Sequence, residues 1–520
     1  MITYEQLWAA DPTAWRAAGA AWHGADAVIG ARCAELDSTT AALRTRWSGP
    51  AGGAARRRVT ELRDRVDGSR LAFVAVDQVL AELGAELARA RAMLEAAVAA
   101  ADRMRVLVDR RGGVTVDPAL ARPDGPTLAG ARRVAGQIRA ALDVATAADR
   151  TAARELSALT TAAAQGWVAH PTGSRPPAGA DPAGVRRWWD GLTPAERRWL
   201  IRHETALVGS LDGVPVRARD QANRLLLAEE RARLDQRRAA ALAERPIRYG
   251  RLARVDGLLA GLDAIEARLT HDGGPRAYLL GLSAAGDGRA IVSVGDPDRA
   301  ANVLTYVPGM TSDLPSVAGE LDRAYRVAAR CAELGPAERT AAVLWLDYDA
   351  PDFIGEASRA SQAHDAGPAL HRFQEGLRAT HEGPPAHQTV LGHSYGSLVV
   401  GATARDHGLA ADSLVFVGSP GVGVDRATDL HMPAGEVWSS TAGNDVIRLA
   451  GPRQLLRVAV LGPPLLALTE PDDQLWFGRD PTAAEFGARV FGGAPRGHVG
   501  YWEPGNPALD GMARVVLGAR

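Results

Sequence analysis

Apolar residues in the first half of this chain recur at three- and four-residue spacing. In the second half they come as short unbroken runs. Val76, Val79, Leu80, Leu83, Leu87, Met93, Leu94 and Val98 fall near one face of a helix. Thr3-Tyr4-Glu5-Gln6 reads as a capping box opening a first helix, and residues 4–45 carry helical composition with Pro12 as the main breaker. The turn Trp47-Ser48-Gly49-Pro50-Ala51-Gly52-Gly53 precedes a second long helical stretch. Gly112-Gly113 and the region of Pro118, Pro123 and Pro126 mark a break; a further helix is expected over 128–165, and Pro171 to Pro182 reads as linker. Thr193, Pro194 and Glu196 cap another helix, and 228–270 is charged and helical. Trp188-Trp189, with Trp199 and Leu200 following at helical spacing, reads as packed core rather than a sugar-stacking surface.

From about Arg276 the period changes. Strands are expected at 278–282, 290–294, 303–307, 343–346, 389–391, 414–417 and 436–439, with helices near 313–335, 367–380, 397–407 and 507–517. Strands alternating with helices imply a mostly parallel sheet covered on both faces, the first two strands lying antiparallel at one edge. The implied organisation is a helical hairpin over 1–112, a helix and linker over 113–182, a helical segment with the Trp-Trp pair over 183–274 and an α/β domain over 275–520.

Composition narrows the function classes. The 520 residues include 101 alanines and no lysine, which favours helix and excludes lysine Schiff-base and P-loop lysine chemistry. A net charge of −1 gives no electrostatic reason to expect nucleic-acid or anionic-membrane binding. Cys33 and Cys331 form neither a disulfide framework nor a zinc site. No H-E-x-x-H set, Walker loop or dinucleotide fingerprint occurs, so no metal or cofactor is expected. The N-terminus lacks a basic region and long apolar run, and no transmembrane segment is expected; the location is cytoplasmic, or exported without a classical signal.

Gly392-His393-Ser394-Tyr395-Gly396 follows a buried strand and precedes a helix. A nucleophile elbow needs that tight turn, with glycines where the backbone approaches its neighbours. The Ser394 hydroxyl would then stand above the sheet near a helix N-terminus, where an oxyanion is stabilised. His393, beside the serine, points elsewhere and reads as structural.

Trp47 reads as a plug of the hairpin core, since tryptophan is mostly buried. Two resemblances follow. Helix, Trp47-Ser48-Gly49 turn and helix resembles the WXG superfamily of small helical hairpins, which implies that a helical partner can dock there. Val307-Pro308-Gly309-Met310-Thr311, Asp347-Tyr348-Asp349-Ala350-Pro351, G-H-S-Y-G, Gly443-Asn444-Asp445, Trp476-Phe477-Gly478 and Gly497-His498 together resemble an actinobacterial α/β-hydrolase family of poorly defined substrate, with cutinase-like and esterase or lipase sister groups. The resemblance implies an α/β-hydrolase fold and the partner order Ser, Asp/Glu, His. Asp445, at the end of the 436–439 strand, is the expected acid, with Asp425, Asp429, Asp472 and Asp473 as competitors. His498, between Gly497 and Val499 and shortly before the last helix, is the expected base. The oxyanion donors are the N–H groups of Tyr395 and Met310, with Gly309 or Thr311 as alternatives to Met310.

The expected activity is hydrolysis of a small-molecule or lipid-like ester or thioester through an acyl-enzyme. The alternative is a binding or assembly protein of a WXG-type secretion-linked system. The Leu- and Pro-rich insertion 448–490 is a candidate lid.

Overall fold

The computed structural model describes residues 2–47, 49–104, 106–116, 125–164, 175–246, 248–271, 274–449 and 474–518. The chain forms two compact units, one of residues 1–172, 194–199 and 270–276, the other of 173–193, 200–269 and 277–520.

In the first unit, α1 (Tyr4–Ala9) opens with the expected capping box: Gln6 N–H donates to Thr3 Oγ1 over 3.2 Å and Thr3 N–H donates to Gln6 Oε1 over 2.9 Å. Helices α2 (Pro12–Arg46), α3 (Pro50–Gly68), α4 (Arg70–Arg103) and α5 (Gly125–Ala164) follow. Leu83, Leu87 and Leu94 of α4 pack with Val134, Ile138 and Ala141 of α5. Three features differ from the expectations. Trp47 does not plug a core: it is 45% exposed. The second helical stretch breaks at Ser69, whose hydroxyl donates to the Val66 carbonyl over 2.6 Å, a local bond that competes with the helix ladder. A hairpin of β1 (Val106–Val108) and β2 (Val114–Val116) occupies the stretch read as a break; Asp109 Oδ1 accepts from the N–H groups of Arg111 and Gly113, both at 2.8 Å, and closes its turn.

The following helices are α6 (Pro182–Gly191), α7 (Pro194–His203), α8 (Thr205–Ser210), α9 (Val216–Ala243) and α10 (Tyr249–Thr270). Trp189 is buried, as its helical spacing implies. Val255, Leu258, Leu262 and Ile265 of α10 join the same core as the sheet that comes next.

Among the described residues that sheet has eight strands: β3 (Ala277–Ser283), β4 (Arg289–Val294), β5 (Asn302–Val307), β6 (Thr340–Leu346), β7 (His387–His393), β8 (Ser413–Val417), β9 (Val437–Ser440) and β12 (Arg489–Val490). Their spatial order is β12-β9-β8-β7-β5-β6-β4-β3. β3 pairs antiparallel with β4 and β4 with β6; every other pairing is parallel. The expected antiparallel pair thus lies at one edge. β5 is buried at all six of its positions, the signature of a strand covered on both faces. The covering helices include α11 (Val317–Leu334), α13 (Ser361–Thr380), α14 (Tyr395–His407) and α15 (Pro507–Val516), with the one-turn α12 (Ile354–Ala357) beside them. A small hairpin, β10 (Gln474–Leu475) with β11 (Gly478–Arg479), lies apart from the sheet. Most of the candidate lid falls at 450–473, outside the described residues. Parallel strands β5 to β9 all end on one edge, so their following loops converge there; this is where an α/β sheet places its chemistry.

Candidate active site

The loop between β7 and α14 is one residue long. Ser394 takes φ 53° and ψ −128°, a left-handed φ that L-residues rarely adopt. Close packing holds it there. A Cβ on Gly392 would stand 2.6 Å from the Gly396 carbonyl oxygen, and one on Gly396 would stand 2.3 Å from the Val307 carbonyl oxygen, so both glycines of G-x-S-x-G are sterically required. Ser394 N–H donates to the Val417 carbonyl over 3.0 Å, tying the turn to the neighbouring strand. The hydroxyl does not cap α14 and Ser394 is half-buried, so its oxygen remains open to a reactant.

Two further loops bring Asp445 and His498 together. His498 Nδ1 lies 2.8 Å from Asp445 Oδ1 and 3.0 Å from Oδ2. A carboxylate accepts, so Nδ1 carries the proton and Nε2 of the neutral ring is the free base. Asp445 also accepts from the Ile447 N–H over 2.8 Å and from the Tyr501 hydroxyl over 2.5 Å. Burial pushes its carboxyl up, but the hydrogen bonds from His498, Tyr501 and Ile447, with the attraction of the imidazolium whenever His498 is protonated, outweigh burial and hold it below the usual carboxylate range. Burial and the adjacent Asp445 charge push the Tyr501 phenol up, so it stays a donor.

The residues beside these groups hold them in place. Asn444 donates to the Pro495 carbonyl over 3.0 Å and accepts from the Gly497 N–H over 2.9 Å, clamping the loop that carries His498. His393 reaches the same loop: its Nε2 lies 2.9 Å from the His498 carbonyl oxygen, and the two rings are 4.8 Å apart. Burial, then His498 and Arg323, hold the His393 ring well below its ordinary pKa, so it is neutral. Gly418 is pressed against the pair; a Cβ there would meet Asp445 Oδ2 at 2.9 Å and His498 Nδ1 at 3.2 Å.

Ser394 sits one residue from these contacts, through His393 before it and Gly418 after its Val417 partner. The bonds of His498 run to Asp445 and His393 rather than to Ser394 Oγ. Gly309 abuts the serine directly: its missing Cβ would lie 2.7 Å from Ser394 Cβ. In the loop after β5 the Thr311 N–H is engaged by the Pro351 carbonyl over 2.8 Å, which leaves the N–H groups of Gly309 and Met310 as the candidate donors there.

Among the other carboxylates, Asp425 accepts from the Arg479 N–H over 3.0 Å and Asp429 is exposed on a single 3-10 turn, Ala427–Leu430. Asp472 and Asp473 lie outside the described residues. Sequence reading missed the supporting set of Asn444, Tyr501 and the reach of His393. Only Asn444 carried a local signal, through the Gly443-Asn444-Asp445 motif. Among the described residues no cluster of His, Cys, Asp or Glu could hold a metal, and no helix is long and apolar enough to cross a membrane.

Residues 283–454 match a family model described as an alpha/beta hydrolase. Over 379 residues the chain is 30% identical to an uncharacterized protein of Mycobacterium tuberculosis, covering 66% of this chain and 56% of that protein. Over 197 residues it is 34% identical to an uncharacterized protein of Mycobacterium bovis, covering 36% of this chain and 73% of that one. The chain thus spans little more than half the length of the first of these relatives.

Proposed function

We propose that this chain, which belongs to the α/β-hydrolase family, is a serine hydrolase of carboxylic esters or thioesters. The observation that carries the reading is the 2.8 Å bond between Asp445 and His498, made on loops at the sheet edge where Ser394 occupies its strained turn.

The chemistry follows from the atoms present. Ser394 Oγ attacks the carbonyl carbon while His498 Nε2 takes its proton. The negative charge that develops on the carbonyl oxygen is met by the N–H groups of Tyr395 and Met310, the first at the N-terminus of α14. Collapse of the tetrahedral intermediate expels the alcohol or thiol, which receives the proton from His498 and leaves an acyl-serine. Water, deprotonated by His498, then attacks the acyl carbon; collapse of this second tetrahedral intermediate releases the acid, and His498 returns the proton to the departing Ser394 Oγ. Asp445 fixes the ring tautomer and stabilises the imidazolium.

The test is labelling with a fluorophosphonate, followed by a panel of aryl esters, thioesters and anilides. Labelling of the parent and none of Ser394→Ala is expected, with turnover of the esters. A folded parent that neither labels nor turns over any member of the panel would overturn the reading.

A further inference from the structure

Two loops, one carrying the oxyanion donor Met310 and the other with no part in the reaction described above, meet beyond the ends of β5 and β6. The segment Asp347-Tyr348-Asp349-Ala350-Pro351 follows β6, and Pro308-Gly309-Met310-Thr311 follows β5. Tyr348 is buried, with its ring stacked on Trp345 at 6.1 Å and an interplanar angle of 8°. Its hydroxyl donates to the Pro308 carbonyl over 2.7 Å and stands 3.4 Å from the Gly309 carbonyl. Three residues on, the Pro351 carbonyl accepts from the Thr311 N–H over 2.8 Å, and Thr311 takes the left-handed φ of 64°.

A trans peptide sets its C=O and the following N–H in opposite directions. Carbonyls of Pro308 and Gly309 that converge on one phenol oxygen therefore turn the N–H groups of Gly309 and Met310 away from it. Gly309 packs on Ser394 at this point. We propose that Tyr348 is a positioning residue of the oxyanion-binding loop: its buried hydroxyl holds the Pro308 and Gly309 carbonyls so that the N–H groups of Gly309 and Met310 face the Ser394 side. Pro351 closes the brace at the far end of the loop. The energetic logic is preorganisation. Donors already aimed at the developing oxyanion need no reorientation during reaction, and they act on the transition state rather than on the bound ester.

The inference rests on the reading of Ser394 as nucleophile, so the parent enzyme is labelled with fluorophosphonate first. A parent that fails to label removes that reading; a parent that labels leaves the brace to be judged by its own variants. Tyr348→Phe removes the hydroxyl and keeps the stacked ring. On a short aryl ester its kcat is expected to fall on the order of 10- to 100-fold, with KM within about twofold of the parent. Inhibition by an arylboronic acid, whose tetrahedral adduct mimics the intermediate, should weaken by the same factor as kcat/KM. Tyr348→Leu, which also loses the ring, should add little further loss in kcat if the hydroxyl carries the effect. Parental kcat and boronate affinity in Tyr348→Phe would overturn the proposal, as would a loss confined to KM. Should Tyr348→Phe fail to fold, the parent itself decides. In protein labelled with 15N-methionine at its six methionines, the Met310 amide proton should move downfield on phosphonylation. No movement of that signal, and none of Gly309 in a glycine-labelled sample, would overturn the proposal.

Discussion

His393 Nε2 donates to the backbone carbonyl of His498 over 2.9 Å, so the residue directly before the nucleophile holds the main chain of the residue that would activate it. A carbonyl oxygen can only accept, which places the proton on Nε2 and leaves Nδ1 bare; that nitrogen is buried without a partner. Trp502 closes the other side, its ring 4.9 Å from that of His393 and edge-on to it. The turn at Ser394 and the loop of His498 are therefore registered by a main-chain contact, and His498 and Asp445 by their side chains.

Replacing that donor should loosen the base. His393→Phe keeps an aromatic ring but leaves the part-buried His498 carbonyl without its donor, at a cost of about 1–3 kcal/mol in urea unfolding. Turnover of an aryl ester should fall by roughly tenfold as the His498 loop gains freedom. Parental turnover with parental stability would show that the contact holds nothing.

The same histidine makes stability depend on pH in a defined direction. Its folded-state pKa is depressed, so the unfolded chain takes up a proton near pH 6.5 that the folded chain refuses. Stability from this group is complete above about pH 6.5 and is lost as pH falls below it, by up to about 1.4 kcal/mol per pH unit. Asp445 acts in the same sense further down, because its depressed carboxyl contributes until the pH drops below about 4. The stability gap between parent and His393→Phe should accordingly narrow from pH 8 to pH 5. A gap that stays constant or widens would contradict a neutral buried ring.

Gly418→Ala probes the close approach. The residue has φ 55°, and the new methyl would meet the Asp445 carboxylate at 2.9 Å. Backbone strain of roughly 1–2 kcal/mol adds to displacement of the acid–base pair. Turnover is expected to drop by about 10- to 100-fold while fluorophosphonate still labels Ser394 slowly. Unaltered kcat would mean that the pair tolerates a shift this close to it.

Parts of this architecture were legible because the sheet is buried on both faces. Val303 to Val307, interrupted only by Thr305, and Val343 to Leu346 stand out as apolar runs, and glycines at 392 and 396 around a serine admit few other backbones. Other parts carried no local signal. Strands β1, β2 and β12 have two or three residues, too few for any period to register. The size of Trp47 suggests core, yet its ring, at a turn between helices, stands 45% exposed. The roles of His393 and Tyr348 depend on partners 105 and 40 residues away, which spacing along the chain does not reveal.

The change of period near residue 275 does not coincide with an edge of the core. Val255, Leu258, Leu262 and Ile265 of α10 are each no more than 1% exposed within the cluster that holds the sheet. Uncovering four such side chains and their partners forfeits on the order of 6–12 kcal/mol, comparable to the whole stability of a domain. A fragment of 275–520 should fail to give a cooperative melt, although Ser394, Asp445 and His498 all lie in it. A fragment beginning near residue 175 should melt cooperatively and label. Folding and labelling of the shorter fragment would show that α9 and α10 are dispensable.

The assignment of the acid can be tested against its neighbours. Asp445 is 3% exposed and bonded to His498, whereas Asp425 is engaged with the Arg479 amide on an exposed loop. In Asp445→Asn the side-chain amide can present N–H where the carboxylate accepted, which favours the imidazole tautomer protonated on Nε2 and removes the base facing the serine. Turnover should fall by about three to four orders of magnitude, with a residual rate from the oxyanion donors and substrate binding. Tyr501→Phe removes one donor to the same carboxylate and leaves the Ala442 N–H, which donates to that hydroxyl over 2.9 Å, without its acceptor. It should cost far less, on the order of tenfold, because the carboxylate stays in place. Asp425→Asn should leave kcat within about twofold, since its loop contact reaches neither ring nor hydroxyl. The three variants therefore rank Asp445→Asn well below Tyr501→Phe and Tyr501→Phe below Asp425→Asn in kcat on one aryl ester. A collapse of turnover in Asp425→Asn with near-parental rates in Asp445→Asn would remove Asp445 from the reaction.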